Sequence, residues 1–153
     1  MITTRLRKTF FDLSVHFIAT AIACVWVYSF SGNPAYVVVL ILGGIFIDLD
    51  HFIDYFLFFG PKFNLNDFFG FSYLESGKVY VFFHSWEIIF LLLAVGIYFS
   101  SSALLIFCFG LSLHLAIDNL QRKNPFIYFL SYRIAVGFDR RRLLPEMEHI
   151  FKQ

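Results

Sequence analysis

Four histidines and five acids of this chain fall inside apolar stretches: His16, His51, His84, His114, and Asp48, Asp50, Asp54, Glu87, Asp118. An ionisable group in a span costs several kcal/mol unless it is paired, hydrated or metal-bound. No lysine or arginine falls in the same stretches to neutralise the carboxylates, so a bound cation is the simplest missing counter-charge. A hydrogen-bonded structural network and a proton or ion pathway stay open as alternatives. Mixed imidazole and carboxylate ligands suit zinc, manganese or iron better than calcium, and zinc is the first expectation. So many ligands allow one or two divalent ions.

Helical spacing supports a site. On a continuous helix, Asp48 and His51 lie about 60° apart and Asp50 and Asp54 about 40° apart. Asp50, His51 and Asp54 are then expected to face the interior together, with Asp48 on the flank. His114 and Asp118 are four apart on one helical face. His84 and Glu87 are three apart, a spacing used by Glu/His pairs in metal-binding bundles.

The elements that must position these residues are membrane helices. The chain has 153 residues, 59% hydrophobic and 15% charged, with 23 phenylalanines. Soluble domains carry about 25% charged residues, so this composition cannot coat a soluble domain. Disorder, a disulfide scaffold and a nucleic-acid module are excluded on the same ground. Cys24 and Cys108 both sit in apolar stretches and read as small buried hydrophobes.

Spans need about 20 apolar residues, and four are expected: 13–30, 35–59, 79–99 and 103–120. They predict an all-α polytopic bundle, with residues 1–125 as the transmembrane domain and 126–153 as an interfacial segment and tail. Tyr128, Tyr132 and Arg133 suit the headgroup region, and 140–152 reads as a short amphipathic helix. The basic residues lie at the N-terminus, in the middle loop and in the C-terminal segment, and none in the short connections 31–34 and 100–102. The positive-inside rule then places both termini in the cytoplasm of an inner or plasma membrane. All the embedded ionisable residues fall at cytoplasmic span ends, in one layer. Each half also reads as a hairpin that begins with a histidine and ends in His plus Asp, a weak internal echo.

The set Val15-His16, Gly43-Gly44-Ile45-Phe46-Ile47-Asp48-Leu49-Asp50-His51, Phe83-His84-Ser85 and Leu113-His114-Leu115-Ala116-Ile117-Asp118 resembles the LexA-regulated, membrane-bound metal-dependent hydrolases of YdjM-like type. The resemblance spans residues 15–118. Two positions depart from it: Ile47 stands where the family has proline before the first aspartate, and the central motif has Glu87 but no second histidine. The resemblance implies metal binding and hydrolysis.

Three functions follow as expectations. The first is metal-dependent hydrolysis of a lipid or amphiphile, an ester or phosphoester, at the cytoplasmic leaflet by metal-activated water. His16, Asp48, Asp50, His51, His84, His114 and Asp118 would be the metal ligands. Asp54 or Glu87 would act as general base or orient a ligand histidine, and Arg122, Lys123 and Arg133 would hold an anionic head or anchor the chain. The second is a metal-stabilised scaffold or regulatory subunit whose Arg140-Arg141-Arg142 run meets anionic lipid or a partner. The third, ion transport, is disfavoured because the outer halves of the spans carry no ionisable residue. A haloperoxidase-type phosphatase is rejected because no arginine lies between Cys108 and Leu113. Membrane lipids are the expected partners and nucleic acid is not; a homo-oligomer is compatible with the small pair Ala19 and Ala23.

Overall fold

The computed structural model describes residues 2–150, with the side chains of residues 2–6, 8, 46 and 148–150 outside the described set. Its long helices are α1 (Ile2–Ser31), α2 (Pro34–Phe46), α3 (Asp50–Phe59), α5 (Trp86–Tyr98) and α6 (Ser102–Leu120). Short helices α4 (Leu65–Phe69), α7 (Leu130–Ala135) and α8 (Arg140–Leu143) complete the set. No strand occurs among the described residues.

Local sequence explains the boundaries. Asn33 caps α2 by accepting from the Ala35 N–H, with Pro34 as first helical residue. Ser101 caps α6 by accepting from the Leu104 N–H at 3.3 Å. Gly60, at φ +68°, ends α3.

Three stretches are long and apolar enough to cross a membrane: Thr9–Ser31, Pro34–Phe59 and Ser102–Leu120. Their outer faces leave Phe17, Ile22, Val25, Trp26 and Phe30 of α1 and Val38 of α2 exposed, as lipid contact requires. The chain is thus built for membrane association.

The fourth expected span differs. Residues 79–99 do not form one helix; α5 has 13 residues, about 20 Å at 1.5 Å per residue, short of a core about 30 Å thick. Residues 79–85 run as extended chain and turns instead. The reason is that buried side chains take over this segment's backbone hydrogen bonds. Asp54 accepts the Tyr80 N–H at 3.0 and 3.1 Å. Asp50 Oδ2 accepts the N–H groups of Phe83 at 2.6 Å and His84 at 3.1 Å. Arg133 donates to the carbonyls of Tyr80, Val81 and His84. Non-helical backbone at membrane depth is tolerated only where protein satisfies it in this way.

α2 and α6 are the central pair, with α1 against α2 and α5 against α6. Their close approach depends on missing side chains. A Cβ on Gly43 would collide with the Phe107 carbonyl, and one on Gly110 with the Leu40 carbonyl. The crossing brings the last turn of α2 beside the middle of α6, next to the ionisable layer.

Residues 126–147 are no surface strip. Ile127, Tyr128, Leu143 and Leu144 share one buried cluster with Ile47, Tyr55, Ile89 and Leu115. Arg133, expected among headgroups, is fully buried. The expected tail helix is only α8 followed by a 3₁₀ turn over Pro145–Ile150; Lys152 lies outside the described residues. Cys24 and Cys108 are free thiols.

Candidate metal centre

The chain from α2 to α3 is not continuous α-helix. A 3₁₀ turn, Ile47–Leu49, interrupts it. Each residue there advances about 120° rather than 100°, so the expected arc of acids is rotated. Asp48 moves from the flank to the centre, while Asp50 and Asp54 turn to the 79–85 segment.

Five of the seven expected ligands come together: His16 from α1, Asp48 from the 3₁₀ turn, His84 from the extended segment, and His114 and Asp118 from α6. Two triads have ligand atoms within 4.8 Å of one another: His16, His114 and Asp118, and Asp48, His84 and His114. These buried His and Asp groups are able to hold a metal ion.

The geometry can be followed atom by atom. His114 Nε2 lies 3.4 Å from Asp48 Oδ1 and 3.5 Å from Asp118 Oδ2. His84 Nε2 lies 3.7 Å from Asp48 Oδ1 and 3.8 Å from Asp118 Oδ2. Nitrogen and oxygen therefore alternate around a four-membered ring. All four separations exceed the 2.7–3.2 Å usual for hydrogen bonds (roughly, from surveys). Ligand atoms bonded tetrahedrally to one ion at about 2.0–2.2 Å sit about 3.3–3.6 Å apart, close to the two shorter of the observed separations.

The tautomers sharpen this reading. His114 Nδ1 is 2.7 Å from the Gly44 carbonyl oxygen, which only accepts, so Nδ1 carries the hydrogen. His84 Nδ1 is 3.3 Å from Asp50 Oδ2 and is a donor by the same logic. In their neutral forms both rings thus present the Nε2 lone pair toward two carboxylates, an arrangement that a cation in the middle would satisfy. His84 Nε2 has no hydrogen-bond partner although it is buried. Holding the far nitrogen with a carboxylate or carbonyl is how proteins aim metal-binding imidazoles.

The other expected residues lie elsewhere. Asp50 and Asp54 are 1% and 4% exposed, and both are occupied with backbone N–H groups. His51 Nδ1 is 3.2 Å from the Tyr73 hydroxyl; neither triad includes it. Burial pushes the Tyr73 hydroxyl well above its ordinary pKa, with Asp54 and Asp48 adding to the effect, so Tyr73 keeps its proton. Glu87 accepts from Ser85 Oγ, the N–H groups of Leu130 and Ser131, and Ser131 Oγ, at 2.7–2.9 Å. It therefore caps α7. His16 Nε2 lies 3.0 Å from Asp118 Oδ1, and the His16 ring stacks on His114 at 3.9 Å.

Beside the cluster is a cavity of about 290 Å³, lined in part by His84 and His51, whose wall is mainly apolar surface, with Tyr73, Tyr128, Arg122 and Glu146 among its polar residues. Arg122 donates Nε–H to the Tyr128 hydroxyl at 3.3 Å. Burial works against its charge, but Tyr128, Asp118 and Glu146 outweigh that and raise its pKa. Sequence reasoning missed Tyr73, Tyr128 and Glu146. The signal for the tyrosines was their hydroxyls in apolar sequence, which must find a partner when buried; Glu146 had none.

No family model, curated protein or solved structure matches this chain.

Proposed function

We propose that this chain is a membrane-embedded metal-dependent hydrolase acting on a lipid or amphiphilic phosphoester at the cytoplasmic leaflet. One observation carries the reading: two histidines with their far nitrogens held aim Nε2 at two carboxylates, beside an apolar cavity. The resemblance to the YdjM-like membrane hydrolases points the same way, and the distribution of lysine and arginine supports cytoplasmic termini.

A divalent transition ion supplies Lewis acidity, polarising the scissile group and acidifying water. His84, His114, Asp48 and Asp118 would bind it, with His16 supporting Asp118. Only one nitrogen of His114 is free, since Nδ1 serves Gly44. The two triads share that nitrogen, which favours one complete ion site. Asp50 and the Gly44 carbonyl orient the rings. Asp48, whose side chain is 36% exposed, leaves one flank open to substrate. Phe71, Leu74 and Val81 keep the cavity apolar.

A metal-stabilised scaffold is the second reading. The observation favouring it is that His84, His114, Asp48 and Asp118 adjoin one another in a ring of N···O separations of 3.4–3.8 Å, enough protein donors for a closed structural site.

The test is elemental mass spectrometry on detergent-purified protein beside a His84→Ala, His114→Ala variant, followed by phosphoester cleavage assays. One equivalent of a transition metal, lost in the variant, with metal-dependent cleavage, supports the hydrolase. Metal without cleavage leaves the scaffold. No metal in protein purified without chelator overturns both.

A further inference from the structure

One wall of the cavity carries a charge arrangement that a metal site does not require. Glu146 has both carboxylate oxygens buried with no hydrogen-bond partner among the described residues. A cation beside it is Arg122, with Nη1 to Oε1 at 3.7 Å, too long for a hydrogen bond. Arg122 uses Nε on Tyr128, and its side chain is 26% exposed. Acceptors and donors thus stand side by side at one wall, each with capacity left.

From this we infer that the cavity is a headgroup site for an amine-bearing phosphoester amphiphile, with the ammonium against Glu146 and the phosphate against Arg122. This rests on the phosphoester reading above and adds the class of substrate.

Three features select that chemistry. An ionised carboxylate lacking donors is best met by an ammonium, whose three N–H groups reach both oxygens as charge-assisted hydrogen bonds. Charged side chains lining the cavity among the described residues are Asp12, Glu146 and Arg122, so both signs are present, which suits a zwitterionic head better than a purely anionic one. Size is the third. At about 290 Å³ the cavity is at the low end of ligand sites, roughly 300–1,000 Å³. It holds a head and a few methylenes against Leu74, Ile127, Leu144 and Met147, and leaves the remaining chain in the membrane.

The reactive end is within reach. The Tyr128 ring lies 6.2 Å from the His84 ring, centroid to centroid, and its hydroxyl touches Arg122. One tyrosine therefore spans the wall between the headgroup end and the metal-facing histidine.

The experiment measures binding of single-chain lysophospholipids with the same acyl chain and ethanolamine, glycerol or bare phosphate heads. The wild-type protein, as purified, is compared with Glu146→Gln and Glu146→Asp, with melting curves as a folding control. The ethanolamine lipid is expected to bind about tenfold tighter than the other two. Glu146→Gln should abolish that preference and Glu146→Asp should retain part of it. Free phosphoethanolamine should bind more weakly than the lysolipid; equal binding would assign the site to a soluble phosphoester and overturn the amphiphile. Equal affinity of the wild type for all three heads, or a preference that survives in folded Glu146→Gln, overturns the inference. Metal content is read on the same samples. A Glu146-dependent preference in metal-free protein would uphold the headgroup site while removing the hydrolase. Metal with no preference would do the reverse.

Discussion

Asp50 Oδ2 receives the backbone N–H groups of Phe83 and His84 and also lies 3.3 Å from His84 Nδ1. One carboxylate oxygen therefore folds the extended segment and aims the His84 ring. Folding and site geometry are coupled at this point.

Asp50→Asn keeps an oxygen acceptor but removes the charge that holds Nδ1. Metal affinity should fall by about 10- to 100-fold, as for other residues that orient ligand histidines, while Asp48→Asn should act on the metal directly. Competition titration against a chelating dye, with melting curves alongside, measures both. Unchanged affinity in folded Asp50→Asn would show that this carboxylate does not orient His84.

Glu87 lies three residues after His84, yet its carboxylate ties the start of α7 to the start of α5. Glu87→Gln should lose about 1 kcal/mol of stability, the usual worth of a cap. Metal stoichiometry should stay at the wild-type value. Loss of bound metal in a variant that still melts cooperatively would place Glu87 at the ion after all.

The α2 and α6 backbones approach through Gly43 and Gly110. Gly43→Ala pushes a methyl into the Phe107 carbonyl and should cost about 1–3 kcal/mol. Because Asp48 and His114 sit just beyond the crossing, metal affinity should fall with stability. Gly60→Ala, with nothing within 4 Å of the added Cβ, serves as a comparison: its strain is confined to the positive-φ turn, and metal binding should persist.

Arg133 distinguishes a buried strut from a headgroup anchor. Arg133→Met leaves the carbonyls of Tyr80, Val81 and His84 without their donor and should cost about 3 kcal/mol or more. Vesicle flotation over a range of anionic lipid content should not separate a refolded Arg133→Met from wild type, whereas Arg141→Ser with Arg142→Ser should weaken any dependence on anionic lipid. A lipid dependence that follows Arg133 would contradict its burial.

Much of this molecule was legible from composition and spacing. Apolar runs over 13–30, 35–59 and 103–120 announce spans because lipid requires about 20 uninterrupted apolar residues. His114 and Asp118, four apart on an unbroken helix, keep the face that their spacing assigns. His16 joins them because a lone histidine in a span must find a polar partner. The cost of burying charge was enough to gather these groups into one cluster.

Where the backbone leaves regular helix, one-dimensional reasoning stops. The 3₁₀ turn at Ile47–Leu49 rotates Asp48 inward and sends Asp50 and Asp54 to another task. Nothing local marks residues 79–85 as extended chain. Their N–H groups are satisfied by aspartates some 26 to 34 residues away, and their carbonyls by Arg133 from beyond the last span. Which acid joins the histidine cluster and which becomes a backbone acceptor is decided by those long-range hydrogen bonds. The sequence by itself determines that charge must be neutralised in the membrane; the tertiary structure alone determines by what.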